Sequence, residues 1–371
     1  MDPAPAALTS LDRLYLERAY ELAARGIGST APNPPVGAVV VRDGAIVGEG
    51  YHRRAGSAHA ESVALDRAGH AARGATLYIS LEPCARAGRV PACAPRVAEA
   101  GIARVVCGAV DPNPVNGGRG IAYLRERGIA VAVSGDARAS DLIELFAGAI
   151  ASPRPYLALK MAMSLDGAIA SRPGVREQLG SEAERLYVRD LRIAYDAVMV
   201  GAGTVRVDDP LLTVRPPYHR LRPYLRVVAC ETETIEASSR VLAAVDGYAP
   251  AIVLAPAGLR RRFENVSDVA DVKFVGASDS TRLDLPAAME TLREAGVYSV
   301  LCEGGPTLGA RLIADGLVER FYWAIAPRLM RSETAVPVLA GVDFAAVHPK
   351  LHFDRTLRVG DDVVISGRIV V

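Results

Sequence analysis

Along residues 11–25 the helical repeat places Leu11, Leu14, Tyr15, Arg18, Ala19 and Leu22 on one face, with Ser10 as a start signal and Gly26 as a stop. An amphipathic helix is expected there. Residues 36–41 and 45–47 are β-rich runs flanking Arg42-Asp43-Gly44, the pattern of a hairpin. Beyond them a helix over 60–67, a buried strand over 75–81, a helix over 91–100, a strand over 104–110, a helix over 120–127 and a strand over 129–133 alternate. Such alternation predicts a sheet covered by helices. Pro153 and Pro155 then break the pattern and mark a boundary, giving domains 1–150 and 151–371. The second half repeats the alternation: strand 156–163, helix 182–193, strands 197–200 and 251–255, helix 286–295 and strand 299–302. The fold class expected is therefore α/β in two domains.

Length agrees with that division, since 371 residues exceed the ~250–300 at which single cores stop growing. A formal net charge of +1 gives no basic surface for nucleic acid, so small molecules are the expected partners. The first residues lack a basic start and an apolar core, and no apolar run reaches the ~18–20 residues that span a bilayer. A cytoplasmic enzyme without a membrane partner is expected. Five scattered cysteines do not suggest a disulfide framework, which leaves metal binding or burial.

The chemistry concentrates around His59-Ala60-Glu61 and Pro83-Cys84, with Cys93 nine positions beyond Cys84. Catalytic zinc typically keeps three protein ligands and one position for water, whose pKa falls to ~7. His59, Cys84 and Cys93 are the candidate ligands. Both cysteines are expected at helix N-termini, where backbone N–H groups favour the thiolate. Glu61 is read as a carboxylate off the metal that moves protons, as in zinc deaminases. Each fragment alone has an ordinary reading, a surface His-x-Glu or a core thiol. A structural four-ligand site is the main rival, but no fourth ligand is evident: His52 is better placed for substrate, and Cys107 lies in an apolar strand.

The flanking text resembles the bifunctional riboflavin-biosynthesis deaminase–reductase family: Ala31-Pro32-Asn33-Pro34-Pro35-Val36-Gly37, Gly48-Glu49-Gly50-Tyr51-His52, Leu81-Glu82-Pro83-Cys84 and Asp111-Pro112-Asn113-Pro114. The likeness continues through Ser164-Leu165-Asp166-Gly167, Gly203-Thr204-Val205, the run from Asp208 to Arg215 and Glu303-Gly304-Gly305-Pro306-Thr307-Leu308. It implies a cytidine-deaminase-like α/β/α sandwich followed by a dihydrofolate-reductase-like α/β domain. The implied reactions are hydrolysis of the 2-amino group of 2,5-diamino-6-ribosylamino-4(3H)-pyrimidinone 5′-phosphate and NADPH-dependent reduction of the ribosyl chain to ribityl. Zn2+ and NADPH are the implied cofactors. Asn33, His52, Asp111 and Asn113 offer the donors and acceptors that the implied pyrimidine edge requires, although each serves equally well as a turn or loop cap; Arg86 and Arg89 join this implied deaminase substrate set, and a homo-oligomer built through the second domain is the expected assembly.

In the second domain, Gly201-Ala202-Gly203 has two glycines of a Rossmann fingerprint but Arg206 in place of the third, which rejects that site. The loop from Gly304 to Gly309 follows a strand and opens a helix, suiting a cofactor phosphate, with a plain turn as the alternative. The resemblance implies that Ala162, Gln178, Thr204, Asp208 and the stretch Gly305, Pro306, Thr307, Leu308, Gly309, Ala310 and Arg311 touch NADPH, and that Arg176, Arg192, Leu212, Arg215 and Glu303 hold the reductase substrate. Arginine suits a phosphate because its planar fork donates two parallel hydrogen bonds. The family usually follows Pro-Cys with Ser-His and has Thr-Pro-Pro-Cys at the second cysteine, whereas this chain has Ala85-Arg86 and Val90-Pro91-Ala92-Cys93. A Ser and a Trp of the family's cofactor cleft align with Arg176 and Gln178, and a late Gly is replaced near Met330-Arg331. Two further readings therefore stand beside the ordinary bifunctional enzyme: a paralogue in a secondary pathway such as toxoflavin synthesis, and a non-catalytic zinc- and nucleotide-binding protein.

Overall fold

Helix α1 (Ser10–Ala24) begins at Thr9, whose side chain accepts from the Asp12 N–H while the Asp12 carboxylate accepts from the Thr9 N–H. This reciprocal cap satisfies two backbone donors at the helix start. The inward face differs from the expected one: Leu16, Ala19, Tyr20, Leu22 and Ala23 are buried, whereas Leu11 and Leu14 are 61% and 62% exposed. Asp12 explains the rotation, because its buried carboxylate accepts from the Tyr78 hydroxyl at 2.9 Å and from Arg104 at 2.7 and 3.1 Å. Those bonds draw a polar position of the helix onto the sheet.

The computed structural model describes residues 8–214 and 222–370, and these divide into two units between Ala151 and Ser152. In the first, strands β1 (Gly37–Arg42) and β2 (Ala45–Tyr51) form a hairpin closed by Asp43 and Gly44, both at positive φ, the backbone that a two-residue turn requires. There follow α2 (Ala60–Ala68), β3 (Thr76–Leu81), α3 (Cys93–Glu99), β4 (Arg104–Ala109), α4 (Arg119–Arg125) and β5 (Ala130–Val133). The unit closes with α5 (Ala137–Leu142) and α6 (Glu144–Ala151), two helices the periodicity does not anticipate. The sheet runs β2-β1-β3-β4-β5, with β3, β4 and β5 parallel. Residues from α2, α3 and α4 pack with Ala38, Val40, Leu77, Ile79, Val105 and Cys107, while α1 and α5 pack with Val39, Val41, Tyr78 and Val106 on the opposite face. The helices sit very close: a Cβ on Gly37 would lie 2.1 Å from the Ala19 carbonyl, and one on Gly48 2.2 Å from the Ala64 carbonyl.

The second unit contains β6 (Tyr156–Ser164), β7 (Ala168–Ala170), α7 (Glu182–Ala194), β8 (Ala197–Gly201), α8 (Ala202–Asp208), β9 (Leu225–Ala229) and β10 (Ile252–Pro256). After these come α9 (Glu264–Ser267), β11 (Asp271–Val275), α10 (Leu285–Glu294), β12 (Ser299–Cys302) and α11 (Pro306–Ala314). It ends with β13 (Arg320–Ala326), β14 (Val336–Pro337), α12 (Phe344–Val347), β15 (Lys350–Val359) and β16 (Asp362–Val370). Nine strands form one sheet in the order β11-β10-β9-β8-β12-β6-β13-β16-β15. The seven from β11 to β13 are parallel and the last two antiparallel. Apolar clusters cover the sheet on both faces, as a parallel sheet demands. Because β12 is inserted between β6 and β8, the carboxyl ends of these three strands lie at a switch in strand order, the place where open α/β sheets bind ligands.

Candidate functional site

In the first unit, the end of β3 and the starts of α2 and α3 carry the chemistry. His59 is the N-cap residue of α2 in extended backbone, Glu61 lies in that helix's first turn, and Cys93 opens α3. Cys84 sits in the loop after β3, not at a helix start as expected. Its sulfur still meets the start of α3, since the Cys93 N–H donates to Cys84 Sγ at 3.3 Å and the Cys84 carbonyl accepts from Cys93 and Ala94. His59 Nδ1 lies 3.6 Å from Cys84 Sγ and 3.3 Å from Cys93 Sγ, and the three ligand atoms fall within 4.8 Å of one another. One imidazole and two thiols converging this closely fit a tetrahedral zinc with one position left open. Among the described residues this is the single such group of His, Cys, Asp and Glu.

The electrostatics follow from burial and proximity. The two thiols act on each other: Cys84 is drawn down, first by its hydrogen bond with Cys93, while that same bond and burial push Cys93 up. Burial raises the Glu61 carboxyl to about 7, with the Cys84 charge adding to the effect. A bound divalent cation reverses this logic and favours the ionised forms.

Of the expected substrate readers, His52 and Asn33 do come to the site but bond each other. The Asn33 amide nitrogen lies 3.1 Å from His52 Nε2, and His52 Nδ1 lies 3.2 Å from the Ala58 carbonyl. Burial lowers the His52 pKa, and the network assigns a neutral ring donating from Nδ1 and accepting at Nε2. His52 is therefore committed at both nitrogens and braces the His59 ring, 5.2 Å away edge to face, leaving Asn33 Oδ1 as the remaining acceptor of the pair. Asp111 is likewise committed: Oδ1 accepts from the Asn113 N–H and Oδ2 from the Asn116 amide, each at 2.8 Å. Asn113 Oδ1 accepts from the Val115 N–H at 3.0 Å, an Asx turn. Arg86 and Arg89 are exposed on the loop between the two cysteines.

Two residues that sequence reasoning missed hold this framework. Buried Glu82 accepts four backbone N–H bonds, from Asp111 and Gly118 at Oε2 and from Gly120 and Ile121 at Oε1, between 2.7 and 3.1 Å. Asn116 Oδ1 accepts from the Ala85 N–H at 2.7 Å, tying the Cys84 loop to Asp111. The signal available was position, since Glu82 stands two residues before a ligand at a strand end.

In the second unit the carboxyl edge gathers most of the expected residues. Gly305 is the N-cap residue of α11, with Pro306 at its first position and Leu308 and Gly309 buried. A Cβ on Gly305 would come 3.3 Å from Thr204 Oγ1, so α8 and α11 start side by side over bare backbone, and a Cβ on Gly203 would meet nothing within 4 Å. That bare cradle fits a dinucleotide. Ala162 lies on β6 beyond the level of Cys302, Thr307 is on the first turn of α11, and Asp208 at the end of α8 faces Arg176 at 3.6 Å. Gln178 is exposed, and its carbonyl accepts from Arg328. Arg192 and Glu303 form a two-pronged ion pair at 2.6 and 2.7 Å, with Arg192 also reaching the Thr213 carbonyl. Leu212, at φ 52°, is buried beside that carbonyl. Arg215 lies outside the described residues. A further group missed from sequence is Lys160 on β6, whose Nζ is 2.6 Å from Glu184 Oε1; burial works against ionisation of Glu303, but Arg192 and then Lys160 hold its carboxyl below its ordinary value.

Comparison with known proteins places both units. The family model for the RibD C-terminal domain matches residues 155–365, and that for the cytidine and deoxycytidylate deaminase zinc-binding region matches residues 9–109. The chain is 36% identical to riboflavin biosynthesis protein RibD of Bacillus amyloliquefaciens over 96% of both chains. It is 36% identical to RibD of Escherichia coli over 95% of this chain and 98% of that one. Among solved structures, Acinetobacter baumannii RibD superposes with a TM-score of 0.83 at 30% identity, covering 97% of this chain and 99% of the other. A diaminohydroxyphosphoribosylaminopyrimidine deaminase/5-amino-6-(5-phosphoribosylamino)uracil reductase from Thermotoga maritima gives 0.82 at 31% identity, covering 96% and 98%.

Proposed function

We propose, on the premise that this chain belongs to the RibD family of bifunctional riboflavin-biosynthesis enzymes, that residues 1–150 carry its deaminase step and residues 151–371 its reductase step. The protein is a zinc-dependent deaminase and an NADPH-dependent reductase acting on a small pyrimidine ribose phosphate. The relatives named above are all of this bifunctional family, and none favours the secondary-pathway reading.

In the deaminase, His59, Cys84 and Cys93 would hold the zinc, which when bound supplies Lewis acidity that brings water toward a pKa of ~7. Glu61 takes one proton of the attacking water at its carboxylate and delivers it to the pyrimidine ring nitrogen, then carries the second proton, from the hydroxyl now on the ring carbon, to the amino group, which leaves as ammonia as the carbonyl forms. Its burial in the first turn of α2 fixes the carboxylate beside the ligand atoms and keeps bulk water from competing for the proton. Asn33 Oδ1 and the Asn113 amide nitrogen read the pyrimidine edge, Arg86 and Arg89 attract the phosphate, and His52 and Asp111 orient the readers. The convergence of His59, Cys84, Cys93 and buried Glu61 carries this reading. Glu61→Gln tests it: ammonia release should fall at least about a thousandfold with zinc still bound, whereas turnover within tenfold of wild type would remove Glu61 from the proton path.

In the reductase, NADPH when bound would supply hydride for the opened ribosyl carbon. Gly305 to Gly309, with Thr204, would cradle its phosphates on the N-terminus of α11, and Ala162, Asp208, Arg176 and Gln178 would border it. Glu303 orients Arg192, and Arg192 with Arg215 and Leu212 holds the substrate phosphate and ribose. Positioning dominates such a step. Assembly into a homo-oligomer through this unit is supported by edge strand β15, which leaves Phe353 63% exposed and would be protected by pairing. No helix among the described residues is long and apolar enough to cross a membrane, and we place the enzyme in the cytoplasm.

A further inference from the structure

Behind the expected substrate residues of the second unit stands a side chain that no motif marks. Tyr248 lies in the stretch between β9 and β10. Its hydroxyl accepts from the Val214 N–H at 2.8 Å and donates to the Val214 carbonyl at 2.9 Å, so one phenol oxygen serves both backbone groups of a residue 34 positions away. Thr213 precedes Val214, and its carbonyl accepts from Arg192 at 3.4 Å. Leu212, one residue earlier, is held at a φ of 52°. A residue with a side chain disfavours that left-handed backbone, which persists where the surroundings enforce it. The two bonds at Val214 supply such enforcement.

Tyr248 is itself fastened to the sheet. Arg226 on β9 is 1% exposed, and its guanidinium donates to the Ala243 carbonyl at 3.0 Å and the Ala249 carbonyl at 3.4 Å, which flank Tyr248 in sequence. The guanidinium also lies 5.7 Å from the centre of the Tyr248 ring, and Tyr224 packs edge to face on that ring at 6.2 Å. Among the described residues Arg226 has no carboxylate partner, and its Nε makes no hydrogen bond. Burying a guanidinium in this way is costly, and a hydrocarbon of similar volume would fill the space without that cost. What the arginine adds is two directed bonds to the chain that carries Tyr248.

We infer that Tyr248, anchored through Arg226, is a positioning residue of the reductase: it fixes the backbone of residues 212–214 so that the Thr213 carbonyl and Glu303 together set the orientation of Arg192. The inference rests on the reductase reading, in which Arg192 and Leu212 hold the substrate. Glu303 engages Arg192 at Nε and Nη2, and the Thr213 carbonyl engages Nη1. Contacts on three nitrogens of a planar group fix its plane as well as its place. Loss of the hydroxyl releases Val214, lets the left-handed Leu212 relax and removes one of these constraints. Arg192 then meets ground state and transition state equally less well, an effect that falls on KM more than on kcat.

The test supplies the full-length, zinc-loaded protein with 5-amino-6-(5-phosphoribosylamino)uracil and follows NADPH oxidation in wild type and Tyr248→Phe. The variant should raise KM for the pyrimidine at least about fivefold, lower kcat less than about threefold and leave the NADPH dissociation constant within about twofold. Ammonia release by the first unit should not change. A KM within about twofold of wild type overturns the inference, as does a loss of NADPH affinity and kcat in step with KM, which marks general loosening of the unit. Should Tyr248→Phe fail to fold, Arg226→Met decides on the same split, because it keeps the hydroxyl and removes its anchor. Hydrogen exchange gives a check without any variant: the Val214 amide of wild type should be protected, and exchange at the rate of a free amide overturns the clamp. A wild type that does not oxidise NADPH with this pyrimidine sinks the reductase reading and the inference with it, whereas normal wild-type turnover with an unchanged KM in the variant sinks the inference alone.

Discussion

Replacing Glu82 with Gln should unfold the deaminase unit far more readily than a one-atom change suggests. The wild-type carboxylate is acceptor to four backbone N–H groups, two at each oxygen. In Gln one oxygen becomes an NH2, so two buried N–H groups face a donor. Hydrogen bonds to a charged acceptor contribute about 1.5–3 kcal/mol each, and stranding a buried donor adds to the cost. Allowing for relaxation of the loop, the loss is about 3–5 kcal/mol, a large share of the ~5–15 kcal/mol that holds a domain together. With a slope of about 2 kcal/mol/M in urea, the midpoint of the first transition should fall by about 1.5–2.5 M. The same N–H groups anchor the stretch from Asp111 to Ile121, which carries Asn116 and through it the Ala85 N–H next to Cys84. Zinc should therefore pass to a chelator faster in the variant. A midpoint within about 0.3 M of wild type together with unchanged zinc release would refute the anchoring role, since even one lost charged bond of ~1.5 kcal/mol shifts it further.

Gly48→Ala should cost at least about 2–3 kcal/mol in urea unfolding, because its Cβ meets a helix backbone carbonyl at 2.2 Å and the helix must move. Asp12 should give the first unit an acid-sensitive limb. Its folded pKa lies well below the ordinary value, chiefly through the bond from Arg104, so its contribution is complete above a pH of about 4 and fades as pH falls below that. Asp12→Asn should lower stability at neutral pH by about 2–3 kcal/mol and flatten its dependence below a pH of about 4. Equal slopes in the two proteins would exclude this origin.

Much of this protein was legible where local rules and tertiary packing agree. The Asp43-Gly44 turn, the apolar runs that became β3, β4 and β6, and the Gly304-Gly305 loop each carry their own signal, and each forms as expected. The misses trace to interactions between distant residues. Leu11 and Leu14 lie outside the buried face because Arg104, 92 residues away, recruits Asp12. Strand β15 escaped because it faces solvent along most of its length, giving no alternation against a core. In the site, residue types identified the donors, but whether a donor is free is a property of the fold. His52 and Asp111 look like substrate readers in sequence and prove to be committed to Asn33, Ala58, Asn113 and Asn116. Glu82, the residue that organises the loop, bears no motif beyond its place before Pro83-Cys84.

The central claim is that one imidazole and two thiolates hold a catalytic zinc with an open position. X-ray absorption at the zinc edge of the purified full-length protein measures this directly. The account predicts one zinc per chain with two sulfur neighbours at about 2.3 Å and two nitrogen or oxygen neighbours at about 2.0 Å, one of them from solvent. A site of three or four sulfurs, or active protein without a transition metal, would contradict it.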